Sequence, residues 1–105
     1  MSKLALIATL PGVTSAVLGD PAGGFLDATG DVDGETAAAV TGFLTSTMVQ
    51  AGDALGLGAL RRMSFTGEAR ACLVFVQPDS VVTAFVEPAS SVAAVEKAVD
   101  AKREA

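Results

Sequence analysis

The stretch ETAAAVTGFLTSTMVQAGDALG, residues Glu35 to Gly56, carries no charged side chain between Glu35 and Asp53. It predicts one helix of about twenty residues, roughly 30 Å long, and a surface helix of that length ordinarily shows a charged outer face. This one shows none. Advancing about 100° per residue from Val40 gathers Phe43, Leu44, Thr47, Ala51, Ala54 and Leu55 into a stripe expected to face the core. The reverse side holds Ala38, Thr41, Gly42, Thr45, Val49 and Gly52, small residues where Lys, Glu and Arg usually meet water. Gly42 in mid-helix also costs about 1 kcal/mol relative to Ala. A second buried face accounts for both features; the competing explanation is an Ala- and Thr-rich bias of the genome. A chain this short has little to pack there except another copy, so Ala38, Thr41, Gly42, Thr45, Val49 and Gly52 are expected at a homodimer interface.

Length and composition narrow the class. The 105 residues suit a single domain, 1–105, with one core. Half the residues are hydrophobic and the mean hydropathy is +0.51, yet no uninterrupted apolar run approaches the ~20 residues of a membrane span. The excess points to protein contacts rather than membrane insertion. Net charge is −5 and no basic residue lies between Lys3 and Arg61, which argues against nucleic acid as a partner. The lone cysteine, Cys72, sits in the run Ala71-Cys72-Leu73-Val74-Phe75-Val76 and is expected to be a buried, reduced core residue. Leu4 to Leu10 is short for a secretory signal and Pro11-Gly12 interrupts it, so a cytoplasmic location is expected.

Turn and strand chemistry set the element order. Residues 3–10 read as a short helix stopped by Pro11-Gly12. Val13 to Gly19 and Phe25 to Thr29 flank the turn Asp20-Pro21-Ala22-Gly23-Gly24 and predict a hairpin. Asp33 is the expected N-cap of the long helix, and Gly56 and Gly58 close it. Leu60 to Thr66 alternates, with Met63 and Phe65 on one face and Arg62, Ser64 and Thr66 on the other. Ala69 to Gln77 reads as a central strand, Pro78-Asp79-Ser80 as a turn and Val81 to Glu87 as the next strand. After Pro88, a helix capped by Ser90 or Ser91 presents Val92, Val95, Ala98 and Val99, followed by a charged tail from Asp100. Helix, two strands, long helix, three strands, helix is an α+β order, solved most economically by an antiparallel sheet with helices on its faces.

In that order, Leu10-Pro11-Gly12-Val13 with Ser15-Ala16-Val17-Leu18, the Asp20-to-Gly24 turn, the ending Ala54-Leu55-Gly56-Leu57-Gly58 and the turn Phe65-Thr66-Gly67-Glu68 are structural markers. Together, over roughly residues 4 to 100, the chain resembles the roadblock/dynein light chain superfamily, and within it the bacterial MglB-like roadblock domains. The resemblance implies a five-stranded antiparallel sheet in the order 2-1-5-4-3 and pairing of two copies through the long helix and third strand. It thereby adds Arg62, Ser64 and Thr66 to the expected dimer interface; without it, Leu60 to Thr66 is an edge strand guarded by Arg61 and Arg62. It also implies a small Ras-like GTPase or a paralogous roadblock protein as partner. The alternative is a structural adaptor of a motor or polarity complex with no effect on GTP turnover. Abundant Ala, Gly and Val point to a GC-rich bacterial genome.

No catalytic constellation accompanies these markers. The sequence has no His, Tyr, Trp or Asn, which removes the commonest general base and a Cys–His pair. Thr29 and Val40 stand where a calcium loop needs Asp and Glu, and Gly52, Gly56 and Gly58 follow a helix with no Gly-Lys-Ser/Thr. No cofactor, metal or catalytic residue is therefore expected, and the chain reads as a non-enzyme. Arg61, Arg62 and Arg70 either meet an acidic partner or guard a strand and turn as solvated charges; Asp20 and Asp27 read as solvated turn and strand residues. With two long helices side by side, the exposed Ser46, Gln50 and Asp53 are expected to bind the partner.

Overall fold

Asp33 opens the long helix as its sequence position predicts. Its carboxylate accepts hydrogen bonds from the Thr36 backbone amide (3.1 Å) and hydroxyl (2.8 Å), which hold its pKa below the ordinary 3.8. At the other end Leu57 N–H donates to Gly52 C=O (2.9 Å) and Gly56 N–H to Asp53 C=O (3.1 Å). With Gly56 at φ 73° this is a Schellman ending, a left-handed position that favours glycine.

The computed structural model describes residues 3–104. Met1, Ser2 and Ala105, which the single-domain expectation includes, lie outside the described residues, as do the side chains of the tail beyond Asp100. The elements are α1 (Lys3–Ala8), β1 (Val13–Gly19), β2 (Phe25–Thr29), α2 (Gly34–Ala54), β3 (Arg62–Thr66), β4 (Ala71–Val76), β5 (Val81–Val86) and α3 (Val92–Glu104). A 3₁₀ turn, Ala89–Ser91, leads into α3, and no side chain caps that turn. The strands form one antiparallel sheet in the order β2-β1-β5-β4-β3.

Strand alternation divides the core between the two faces of this sheet. On one, Ala16, Leu73, Phe75, Val82, Ala84 and Val86 pack against Leu4, Ile7 and Leu10 at the N-terminal end and Val95 and Val99 of α3. On the other, Val17, Val74 and Thr83 stand in register across the three central strands, and α2 lies over β1, β2 and β5.

On α2 the structure largely reverses the expected phase, although Leu44 of the expected core stripe does pack inward. Ala38 (2% exposed), Thr41 (7%), Gly42 and Thr45 (5%) face inward, while Phe43, placed in the core stripe by its size, is 72% exposed and Leu55 is exposed as well. Small residues are what let the helix approach the hairpin closely. A Cβ at Gly42 would lie 2.5 Å from Gly23 Cα and 2.8 Å from Gly23 N. A Cβ at Gly19 would stand 3.2 Å from that of Ala38. The two buried threonines satisfy their hydroxyls within the helix, Thr41 donating to Ala37 C=O (2.8 Å) and Thr45 to Thr41 C=O (2.7 Å). Ala38, Thr41, Gly42 and Thr45 are thus spent on the chain's own packing and cannot form the centre of a dimer. Of the other two helix positions expected there, Val49 is exposed and Gly52 half-buried.

Gly42→Ala tests this close approach. Helix propensity alone favours Ala by about 1 kcal/mol, whereas overpacking against unyielding neighbours costs about 1–3 kcal/mol. The obstructing atoms are backbone, so the overpacking cost is expected to win, and denaturant unfolding should show a less stable variant. Equal or higher stability would mean that α2 can lift away from the Asp20–Gly24 turn.

Candidate protein-interaction site

The outward side of α2 has two chemically different flanks. Successive residues turn by about 100°, so with Thr45 inward the flank toward Leu44 carries Val40, Met48, Ala51 and Leu55. The opposite flank carries Glu35, Ser46 and Asp53, with Phe43, Thr47 and Gln50 between the two. Leu44 packs on the cluster of Met63, Val74 and Val81, which places the apolar flank on the β3–β4 side of the helix. Val40, Phe43 and Met48 are all exposed.

That side of the sheet is also the less covered. Met63 and Phe65 share the α2 face of β3, as their alternation predicts, opposite Val74 and Cys72 of β4. Phe65 is exposed, and Cys72 and Val76 are half-buried. Cys72 is therefore less buried than expected, because α2 lies over the other end of the sheet. Burial still pushes its thiol up to about 11. A thiol reagent at neutral pH is expected to modify native Cys72 slowly and the unfolded chain at the rate of an ordinary cysteine. Rapid native labelling would show that this part of the face opens.

β3 lies at the end of the strand order and, among the described residues, pairs only with β4. Of the β3 residues expected at a dimer interface, Ser64 and Thr66 are exposed, but Arg62 is engaged within the chain. Its guanidinium bonds to Asp100, stands 3.8 Å from Glu96 and lies 5.3 Å from the centroid of the Phe75 ring. Hydrogen bonding to Asp100 holds its pKa above the ordinary value. Arg70 pairs with Glu87 (2.6 Å) over Phe85. Asp20 accepts the Ala22 and Gly24 amides (2.9 Å each) and serves its own turn. Ser46, Gln50 and Asp53 are exposed, as expected. Among the described residues, no cluster of acidic, His or Cys side chains could hold a metal ion, and no helix is long and apolar enough to cross a membrane.

The architecture has close structural counterparts. Myxococcus xanthus MglB superposes with a TM-score of 0.80 over 90% of this chain and 80% of its own, at 13% identity. The Roadblock/LC7 domain from Streptomyces avermitilis gives 0.72 over 96% and 93%, at 20% identity. This chain has the roadblock/LC7 fold. An MglB with tetrameric arrangement gives 0.74 over 90% of this chain and 76% of its own, at 16% identity. No protein-family model matches the sequence, and neither does any curated protein. The expected strand order, the long helix and the C-terminal helix are all those of the roadblock fold seen here.

Sequence reasoning missed Val40 and Met48 and assigned Phe43 to the core. The available signal was the spacing Ala38, Thr41/Gly42, Thr45, a helical stripe as regular as that of the large residues.

Proposed function

We propose that this chain is a non-enzymatic, homodimeric roadblock-type regulator or adaptor that binds a small Ras-like GTPase, a paralogous roadblock protein, or both. The observation that carries the proposal is the pairing of an exposed apolar flank on α2, Val40 and Met48 with Phe43 at the crest beside it, with an adjoining half-covered sheet end and the edge strand β3. Two copies related by a two-fold axis can set these flanks side by side and join their β3 edges, each copy covering what the other leaves open. A stable interface of this kind buries about 1,600 Å² in total. The tetrameric arrangement of one MglB supports self-association on this fold.

With the apolar flank and Phe43 covered, Ser46 and Asp53 on the other flank stay in water, and Gln50, two turns beyond Phe43 and turned slightly toward them, borders the proposed partner surface. The test is a pulldown with a small Ras-like GTPase of the same organism, loaded with GDP or a GTP analogue. The double variant Gln50→Arg, Asp53→Arg is expected to lose most of the bound GTPase while sedimenting as a dimer. Binding that depends on nucleotide favours a regulator, since only contacts that differ between the two states can transmit the difference. Equal binding in both states favours an adaptor, and undiminished binding by the variant removes the helix surface from the proposal. The chain alone is expected neither to bind nor to hydrolyse GTP, because it lacks a phosphate-binding loop with its lysine.

A further inference from the structure

At the end of the sheet where the α2–β3 connection meets the β4–β5 turn, the surface opens into a cleft of ≈ 790 Å³. Its walls include Ile7, Val49, Leu60, Phe75, Val76 and Val99, contributed by every layer of the fold. Small-molecule sites have volumes of about 300–1,000 Å³ and pair such apolar walls with a few placed polar groups. Among the described residues the charged group at the cleft is Arg61. Val76 N–H donates to its backbone carbonyl (2.9 Å), which fixes the residue at the cleft. Arg62 and Arg70 both have carboxylate partners; Arg61 has none among the described residues.

We infer that this cleft binds an amphipathic anion, an apolar chain ending in one carboxylate, with Arg61 holding the head group. A guanidinium presents parallel N–H donors that match a carboxylate, and one such group suits one negative charge rather than a polyphosphate. The chain's net charge of −5 would otherwise repel an anion, so the local cation decides the sign of the ligand. Phe75 stiffens the apolar wall, being buried beneath Arg62, itself held by Asp100 and Glu96.

The inference does not rest on the proposed dimer or GTPase, and its test reads neither. Dodecanoate, below its micelle concentration, is titrated calorimetrically into the full chain beside dodecyltrimethylammonium and dodecanol. Saturable binding at one dodecanoate per chain is expected, with the cation at least about tenfold weaker, as loss of a charge-assisted contact implies. Arg61→Gln, at an exposed position, should weaken dodecanoate about tenfold and leave dodecanol unchanged. Ala59→Trp, at an exposed position of the cleft wall, should weaken both. Circular dichroism confirms that each variant is folded. Equal binding of anion and cation, an Arg61→Gln variant with undiminished affinity, or no saturation overturns the inference. Retention on phosphatidylglycerol vesicles without binding of free dodecanoate overturns it too, in favour of a lipid surface.

Discussion

Thr45→Glu is expected to unfold the domain. Thr45 is 5% exposed on the inward face of α2, and its hydroxyl already donates to Thr41 C=O. A glutamate there loses that self-contained bond, adds volume on the buried face of the helix, and buries a carboxylate with no cation on its face of α2. An unpaired buried charge costs several kcal/mol, a large share of the ~5–15 kcal/mol that holds a domain together. The expected result is loss of the cooperative thermal transition at neutral pH. The sign of the pH dependence follows from the same burial. It raises the folded-state pKa of the new carboxyl above the unfolded value of about 4.3, so the penalty is smallest below that pH and grows as pH rises through the folded value. Partial recovery of folding in mild acid is therefore expected for Thr45→Glu. Thr45→Gln, which has the size without the charge, should show no such recovery. A Thr45→Glu protein as stable as the parent at neutral pH would mean that α2 is rotated from the phase described here.

Elements with local chemical causes were legible before the structure was known. The Asp20–Gly24 turn is built by the Asp20 carboxylate and glycine backbone, the start of α2 by Asp33, and its end by Gly56. All of these lie within a few residues of their effect. The phase of α2 was not legible by the rule that large apolar residues mark the core. That rule presumes helix and sheet kept apart by bulky side chains, whereas this helix rests on glycine, alanine and threonine against the backbone at Gly23. The large residues then fall outward. Cys72 failed for a related reason: an apolar strand predicts burial, but how far along the sheet α2 reaches is a tertiary fact. Arg62 could be read as an edge residue, yet its partners lie on α3, a helix that its neighbours in sequence do not announce. The cleft beside Arg61 draws walls from α1, α2, β4 and α3, and no local pattern encodes such an assembly.

Phe43→Glu is expected to do the reverse of Thr45→Glu, leaving the fold intact and separating the copies. Phe43 is 72% exposed in the single chain, so its loss removes little intrachain packing. A substitution at such a site usually alters stability by no more than about 0.5 kcal/mol. In the proposed dimer the same ring lies between two α2 helices, where a buried aromatic anchor typically contributes 2 kcal/mol or more, to which a desolvated carboxylate adds its own cost. A combined loss of about 3 kcal/mol corresponds to a dissociation constant raised more than about a hundredfold. Sedimentation at micromolar concentration should show a dimeric parent and a monomeric Phe43→Glu, with closely similar circular dichroism and monomer stability. Val40→Glu, on the apolar flank next to Phe43, should act in the same direction, whereas Ser46→Glu on the polar flank should leave the dimer unchanged. This set locates the interface by chemistry on one helix. A parent that stays monomeric throughout the range would overturn the homodimer, and a dimeric Phe43→Glu would move the contact off the apolar flank of α2.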